Sequence, residues 1–118
     1  MSFASLTDPE DSVELLQRSL ARQRLGHAYL FSGDDLERLE LVARTLAKTL
    51  NCQNPRPSQT VPGAPDSCDT CLSCRKIEGA NHPDVQWVRP ESKSRVITID
   101  QMRDLMQTIY LKPTEAQH

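Results

Sequence analysis

The chain has 118 residues, 37% hydrophobic but only 4% aromatic, which limits it to one domain with a core of Leu, Val, Ile, Ala and Met. With 14 Lys+Arg against 16 Asp+Glu the net charge is -2, which argues against nucleic-acid binding by electrostatics alone. Met1-Ser2-Phe3-Ala4-Ser5-Leu6 has neither a basic nor an apolar signal region, and no apolar run approaches the ~20 residues that span a membrane, so a cytoplasmic setting is expected.

The first helix is expected to start at Thr7-Asp8-Pro9-Glu10-Asp11, with Asp8 as N-cap and Pro9 at the first helical position. Val13, Leu16 and Leu20 share one face, and Gly26 is expected to stop the helix, with Arg22 and Arg24 in its last turns. His27-Ala28-Tyr29-Leu30-Phe31 reads as a buried strand ending at Ser32-Gly33, with His27 packed or hydrogen-bonded rather than catalytic. Leu36, Leu39, Val42, Ala43, Leu46, Ala47 and Leu50 recur at steps of three and four, so a second helix runs to Asn51-Cys52. Pro55, Pro57, Pro62, Gly63 and Pro65 make 53–67 a loop, and 70–79 is expected to form a short helix carrying Cys71 and Cys74. Asn81-His82-Pro83 turns the chain, and Asp84-Val85-Gln86-Trp87-Val88 alternates like a strand with Trp87 in core or sheet packing. After a loop from Pro90 to Arg95, Thr98 and Gln101 form a capping box for a last helix limited by Pro113, with Met102, Leu105, Met106 and Ile109 on its buried face. Strands alternating with helices imply an α/β fold with parallel strands.

The chemistry lies in Cys52-x15-Cys68-x2-Cys71-x2-Cys74, the chain's only cysteines. Three sulfurs on one tight turn, closed by a fourth from upstream, match the tetrahedron of soft ligands that a structural zinc ion takes. Two disulfides, with three pairings, are disfavoured where no secretory signal is found. An iron–sulfur cluster is the sharper rival, but such runs usually continue to a fourth Cys followed by Pro, whereas Arg75-Lys76 follow Cys74. His82 is a bystander while four cysteines are available. A closed ligand set leaves no open position for catalysis.

A strand ending at Gly33 before a helix is where a phosphate-binding loop sits. The template Gly-x4-Gly-Lys-Ser/Thr requires glycine, lysine and a hydroxyl where this chain has Arg38, Leu39 and Glu40. Asp34, Asp35, Glu37 and Glu40 already crowd the helix N-terminus with negative charge, leaving little to attract a triphosphate. The plainer reading is an ordinary strand-to-helix turn with an Asp cap. Arg75, Lys76, Lys93 and Arg95 form at most a small solvated basic patch near the cysteines.

The collinear pieces 25–33 (Leu-Gly-His-Ala-Tyr-Leu-Phe-Ser-Gly), 43–52 (Ala-Arg-Thr-Leu-Ala-Lys-Thr-Leu-Asn-Cys), the cysteine run, Asn81-His82-Pro83-Asp84 and 97–105 (Ile-Thr-Ile-Asp-Gln-Met-Arg-Asp-Leu) resemble clamp-loader subunits of bacterial DNA polymerase III. Within that AAA+ family, gamma/tau ATPases keep an intact Walker A loop, whereas delta-prime subunits commonly lack one and serve as rigid stators. The degenerate loop and His82-Pro83-Asp84 select the delta-prime branch. The resemblance implies a partial AAA+ P-loop NTPase-like domain with parallel strands and an inserted four-cysteine zinc module at about 51–80. Residues 1–118 would be the N-terminal part of AAA+ domain I. The Walker B strand, sensor 1, the arginine-finger segment, the lid and the collar are absent from this sequence.

It further implies a non-catalytic subunit with structural Zn2+ on Cys52, Cys68, Cys71 and Cys74 and no ATP at Gly33, Arg38, Leu39 and Glu40. Its partners would be gamma/tau and delta, with the sliding clamp and primed DNA met through the complex and no membrane. Such a subunit serves a DNA-polymerizing holoenzyme without intrinsic activity of its own. The alternatives are a gamma/tau-like ATPase, for which Leu39 offers no lysine, and a small zinc module that binds nucleic acid, for which basic charge and stacking aromatics are scarce. Because later strands separate the first two strands of an AAA+ sheet, an isolated fragment is expected to expose apolar edges and self-associate, swap elements or fold only partly.

Overall fold

A computed structural model describes Phe3 and residues 11–59, 61–90 and 96–109. The elements are α1 (Asp11–Ala21), α2 (Leu36–Asn51), β1 (Arg56–Pro57), β2 (Pro65–Asp66), α3 (Leu72–Glu78) and α4 (Ile99–Ile109). The expected Asp8 cap, the 91–95 part of the loop after Pro90, and Pro113 lie outside the described residues.

α1 and α2 form the main core. The three- and four-residue spacing of Val13, Leu16 and Leu20 brings them together with Val42 and Leu46 of α2 and with Phe3, flanked by Leu25, Phe31 and Leu50. An exposed Glu14–Arg18 pair at 2.6 Å adds only about 0.3–0.5 kcal/mol on the outer face of α1. The helix does not reach Gly26. Gln23 takes the left-handed conformation (φ 56°), and the Gln23 and Arg24 amides bond the carbonyls of Leu20 (3.2 Å) and Ser19 (3.0 Å). This is a Schellman stop made without glycine, so Arg22 and Arg24 fall beyond the helix.

α2 starts where Asp35 caps it, Oδ1 accepting from the Arg38 amide at 3.3 Å. Its buried face is partly polar, yet helix carbonyls satisfy it: Thr45 Oγ1 donates to Leu41 O (2.7 Å), Thr49 Oγ1 to Thr45 O (2.8 Å) and Asn51 Nδ2 to Ala47 O (3.0 Å). The proline-rich segment is not wholly loop. Arg56 and Pro57 pair antiparallel with Asp66 and Pro65, and Gly63 supplies the positive φ (81°) of the connecting turn. Gln17 Nε2 donates to Ser58 Oγ (3.0 Å) and the Phe3 amide to Asp66 Oδ1 (2.9 Å), which docks this hairpin on the α1 side. α3 begins two residues later than expected and packs on α2 through fully buried Ile77.

The parallel sheet is not formed among the described residues; their one ladder is the two-residue antiparallel pair. His27 to Phe31 has no ladder partner: His27 is exposed, Leu30 is 93% exposed, and Tyr29 stacks on Phe31 with ring centroids 6.3 Å apart while its hydroxyl accepts from the Gly26 amide. Asp84 to Val88 likewise forms no strand. Side chains hold it instead, Thr108 Oγ1 bonding Gln86 Oε1 at 3.2 Å and Gln101 Nε2 donating to Arg89 O. Trp87 lies half-buried beside the guanidinium groups of Arg44 and Arg89, each 5.4 Å from its ring, rather than in a sheet. Extended, apolar backbone becomes strand only where another strand offers a ladder.

α4 carries the expected capping box, with the Gln101 amide on Thr98 Oγ1 (3.3 Å) and the Thr98 amide on Gln101 Oε1 (3.1 Å). Its apolar stripe is not buried: Met102, Met106 and Ile109 are exposed, as is Ile99, Leu105 is only half-buried, and no α4 residue is buried. Among the described residues, no helix is long and apolar enough to cross a membrane.

The contrast between these two helix faces is measurable. Leu46→Ala, in the α1–α2 core, should cost about 2–5 kcal/mol in urea unfolding, whereas Ile99→Ala should change stability by less than about 0.5 kcal/mol. Equal effects of the two substitutions would contradict the packing.

Candidate metal centre and the remnant phosphate loop

Cys52 is the C-cap of α2, Cys68 follows β2, and Cys71 and Cys74 cap and enter α3. Their sulfurs all lie within 4.8 Å of one another, and Cys52 Sγ and Cys71 Sγ are 3.9 Å apart. A single tetrahedral ion with metal–sulfur bonds of about 2.3 Å would set a sulfur–sulfur edge of about 3.8 Å. All four are free thiols, with Cys52, Cys68 and Cys74 buried and Cys71 half-buried. The donor set and spacing therefore fit one metal ion, held on Cys52, Cys68, Cys71 and Cys74. His82 is buried away from this group, and its Nδ1 accepts from the Asp84 amide at 3.1 Å.

Backbone amides are aimed at the sulfurs. Cys68 N donates to Cys52 Sγ (3.4 Å), Cys71 N to Cys68 Sγ (3.3 Å), and Cys74 N (3.4 Å) and Gln53 N (3.5 Å) to Cys71 Sγ. Such donors favour thiolate over thiol, as metal ligation requires. Burial works against the Cys68 thiolate, but hydrogen bonds from Thr70 and the Cys71 amide outweigh it and bring its pKa to about 6. Cys71 is also lowered: burial opposes the shift, and the amides of Cys74 and Gln53 overcome it at the N-terminus of α3. Burial pushes Cys52 up, and it pushes Cys74 up furthest, aided by the neighbouring thiols Cys71 and Cys52.

A second feature was not read from the sequence. Lys48, 1% exposed, places Nζ 2.9 Å from Asp69 Oδ1 and 2.8 Å from Glu78 Oε2. Burial opposes its charge, yet the bonds to Glu78 and Asp69 prevail and raise its pKa. The available signal was positional: Lys48 stands one helical turn before Cys52, Asp69 directly follows Cys68, and Glu78 lies one turn after Cys74.

At the other end of α2, Gly33, Asp34, Asp35, Arg38 and Val42 help line a cavity of about 380 Å³. The Arg38 amide, at a position where a phosphate loop would offer a donor, is turned onto the Asp35 carboxylate. Leu39 joins the wall of the cavity, and the Glu40 carboxylate is paired with Arg89 through both guanidinium nitrogens. That hydrogen-bonded pair holds Glu40 below the usual carboxylate range and Arg89 above its ordinary value. Arg75 is exposed and Lys76 half-buried, while Lys93 and Arg95 lie outside the described residues.

Residues 9–118 match the family model described as DNA polymerase III, delta subunit. The chain belongs to the DNA polymerase III clamp-loader subunit family. It is 35% identical to the DNA polymerase III subunit delta' of Bacillus subtilis over 82 residues, covering 70% of this chain and 22% of that protein. It is 31% identical to the subunit gamma of Buchnera aphidicola, over 97% of this chain and 29% of that protein. The subunit tau of Escherichia coli is also 31% identical, over 95% of this chain and 16% of its own length. The chain thus spans less than a third of the length of these relatives.

Thiol chemistry checks the electrostatics of the cluster. In reduced, metal-free protein at neutral pH, iodoacetamide should modify Cys71 before Cys74, because Cys71 is the more exposed and the more readily ionised. Peptide mapping by mass spectrometry reads the order, and faster labelling of Cys74 would contradict this geometry.

Proposed function

We propose that this chain is the N-terminal part of AAA+ domain I of a non-catalytic, delta-prime-like stator in the clamp loader of DNA polymerase III. In this reading residues 51–80 form an inserted structural zinc module on Cys52, Cys68, Cys71 and Cys74. The subunit works in the bacterial cytoplasm beside gamma/tau and delta subunits. It helps them place the sliding clamp on primed DNA and hydrolyses no nucleotide itself.

One observation carries the stator reading. The positions where a phosphate loop needs glycine, lysine and a hydroxyl hold Arg38, Leu39 and Glu40. Two groups there are committed elsewhere: the Arg38 backbone amide donates to Asp35, and the Glu40 carboxylate pairs with Arg89. Zinc is favoured over other metals by four thiolate donors on one compact, backbone-supported centre. A loader subunit with that centre at the end of α2 keeps its shape through the metal rather than through a reaction.

The gamma/tau-like reading has a specific observation in its favour. The gamma and tau relatives align with 95–97% of this chain, against 70–72% for the delta' relatives. Nucleotide binding separates the two readings. Reduced protein should carry about one zinc per chain by elemental analysis and show no saturable binding of a fluorescent ATP analogue with Mg2+. Tight ATP binding would favour the ATPase reading, and a metal-free protein refolded with zinc that takes up none would remove the zinc module.

A further inference from the structure

Lys48 is an unusual residue to find on a buried helix face, and its partners are not scattered. Its side chain is 1% exposed, and its ammonium bonds Asp69 at 2.9 Å and Glu78 at 2.8 Å. Asp69 directly follows Cys68, in the left-handed conformation (φ 63°) that an Asp tolerates better than most side chains. Its Oδ1 also accepts from Ser67 Oγ at 3.0 Å, so the turn that delivers Cys68 is held through this one carboxylate. Glu78 ends α3, one helical turn after Cys74 and on the same face. Lys48 itself sits one turn before Cys52 on α2, and its carbonyl lies 4.0 Å from Cys74 Sγ.

Three separate pieces of chain therefore bring Cys52, Cys68 and Cys74 to one place, and the Lys48 ammonium, projecting from the first of them, bonds a carboxylate on each of the other two. Resting on the reading of the four cysteines as a metal centre, we propose that Lys48 is a positioning residue for that centre. By clamping Asp69 and Glu78 it presets the Cys68 turn and α3 against the end of α2, so the sulfurs converge before an ion arrives. Outer groups that orient metal ligands typically contribute 10–100-fold to affinity, without touching the metal. Both carboxylate partners of Lys48 lie beside ligands, Asp69 next to Cys68 and Glu78 one turn after Cys74. The Glu40–Arg89 pair, remote from the cysteines, provides the comparison: it also joins α2 to a later segment, but no cysteine neighbours either residue in sequence.

The test uses the whole chain, reduced, with Zn2+ affinity measured in competition with a chromophoric chelator. K48M should still bind one Zn2+ but about 10–100-fold more weakly, and chelator should strip it faster. K48R, which keeps a cation and several N–H donors, should lose less than K48M. R89M should keep the wild-type affinity. Co2+ substitution should give the same tetrahedral thiolate bands in wild type and K48M, showing that the four ligands remain and only their presetting has been lost. Wild-type affinity in K48M would overturn the proposal, and so would equal losses in K48M and R89M. A wild-type chain that binds neither Zn2+ nor Co2+ would instead overturn the metal reading on which the proposal stands.

Discussion

The structure depends on how the far end of α2 is closed. The α1–α2 core is small, and the segment that leaves it, 53–67, is rich in proline and, among the described residues, has only a two-residue ladder of its own. Such a segment cannot offset its ordering entropy by apolar burial alone. What returns it to α2 is the convergence of Cys52, Cys68, Cys71 and Cys74, with Lys48 bridging Asp69 and Glu78 beneath them. α3, buried by Ile77 and Cys74, is positioned by the same contacts.

The two ends of α2 differ in kind. Its N-terminus is a capped turn in which carboxylates occupy the donors and charges that a phosphate would use. Its C-terminus gathers soft ligands supported by backbone amides. The soft ligands of α2 thus lie at the end opposite its capped, acidic turn.

The helices and the gathering of the four cysteines were legible in the sequence because both depend on local spacing. The four-residue steps of α2, the Asp35 cap, the Thr98–Gln101 box and the cysteine run needed no distant partner to be recognised. Strands were not legible in the same way, since His27–Phe31 and Asp84–Val88 have the right residues but find no ladder among the described residues. The same reason leaves Met102 and Met106 exposed: an amphipathic stripe announces a buried face, but another element has to cover it. The end of α1 was missed because Gln23 takes the position that glycine usually marks. Lys48 was missed because its partners lie 21 and 30 residues away, where no periodicity points.

The central claim is that four cysteine sulfurs, and no other ligand, hold one zinc ion at the end of α2. X-ray absorption at the zinc edge of the reduced, zinc-loaded chain measures that directly. The account predicts a first shell of four sulfur scatterers at about 2.3 Å. A mixed shell with a nitrogen ligand at about 2.0–2.1 Å, the signature of a histidine displacing a cysteine, would contradict it.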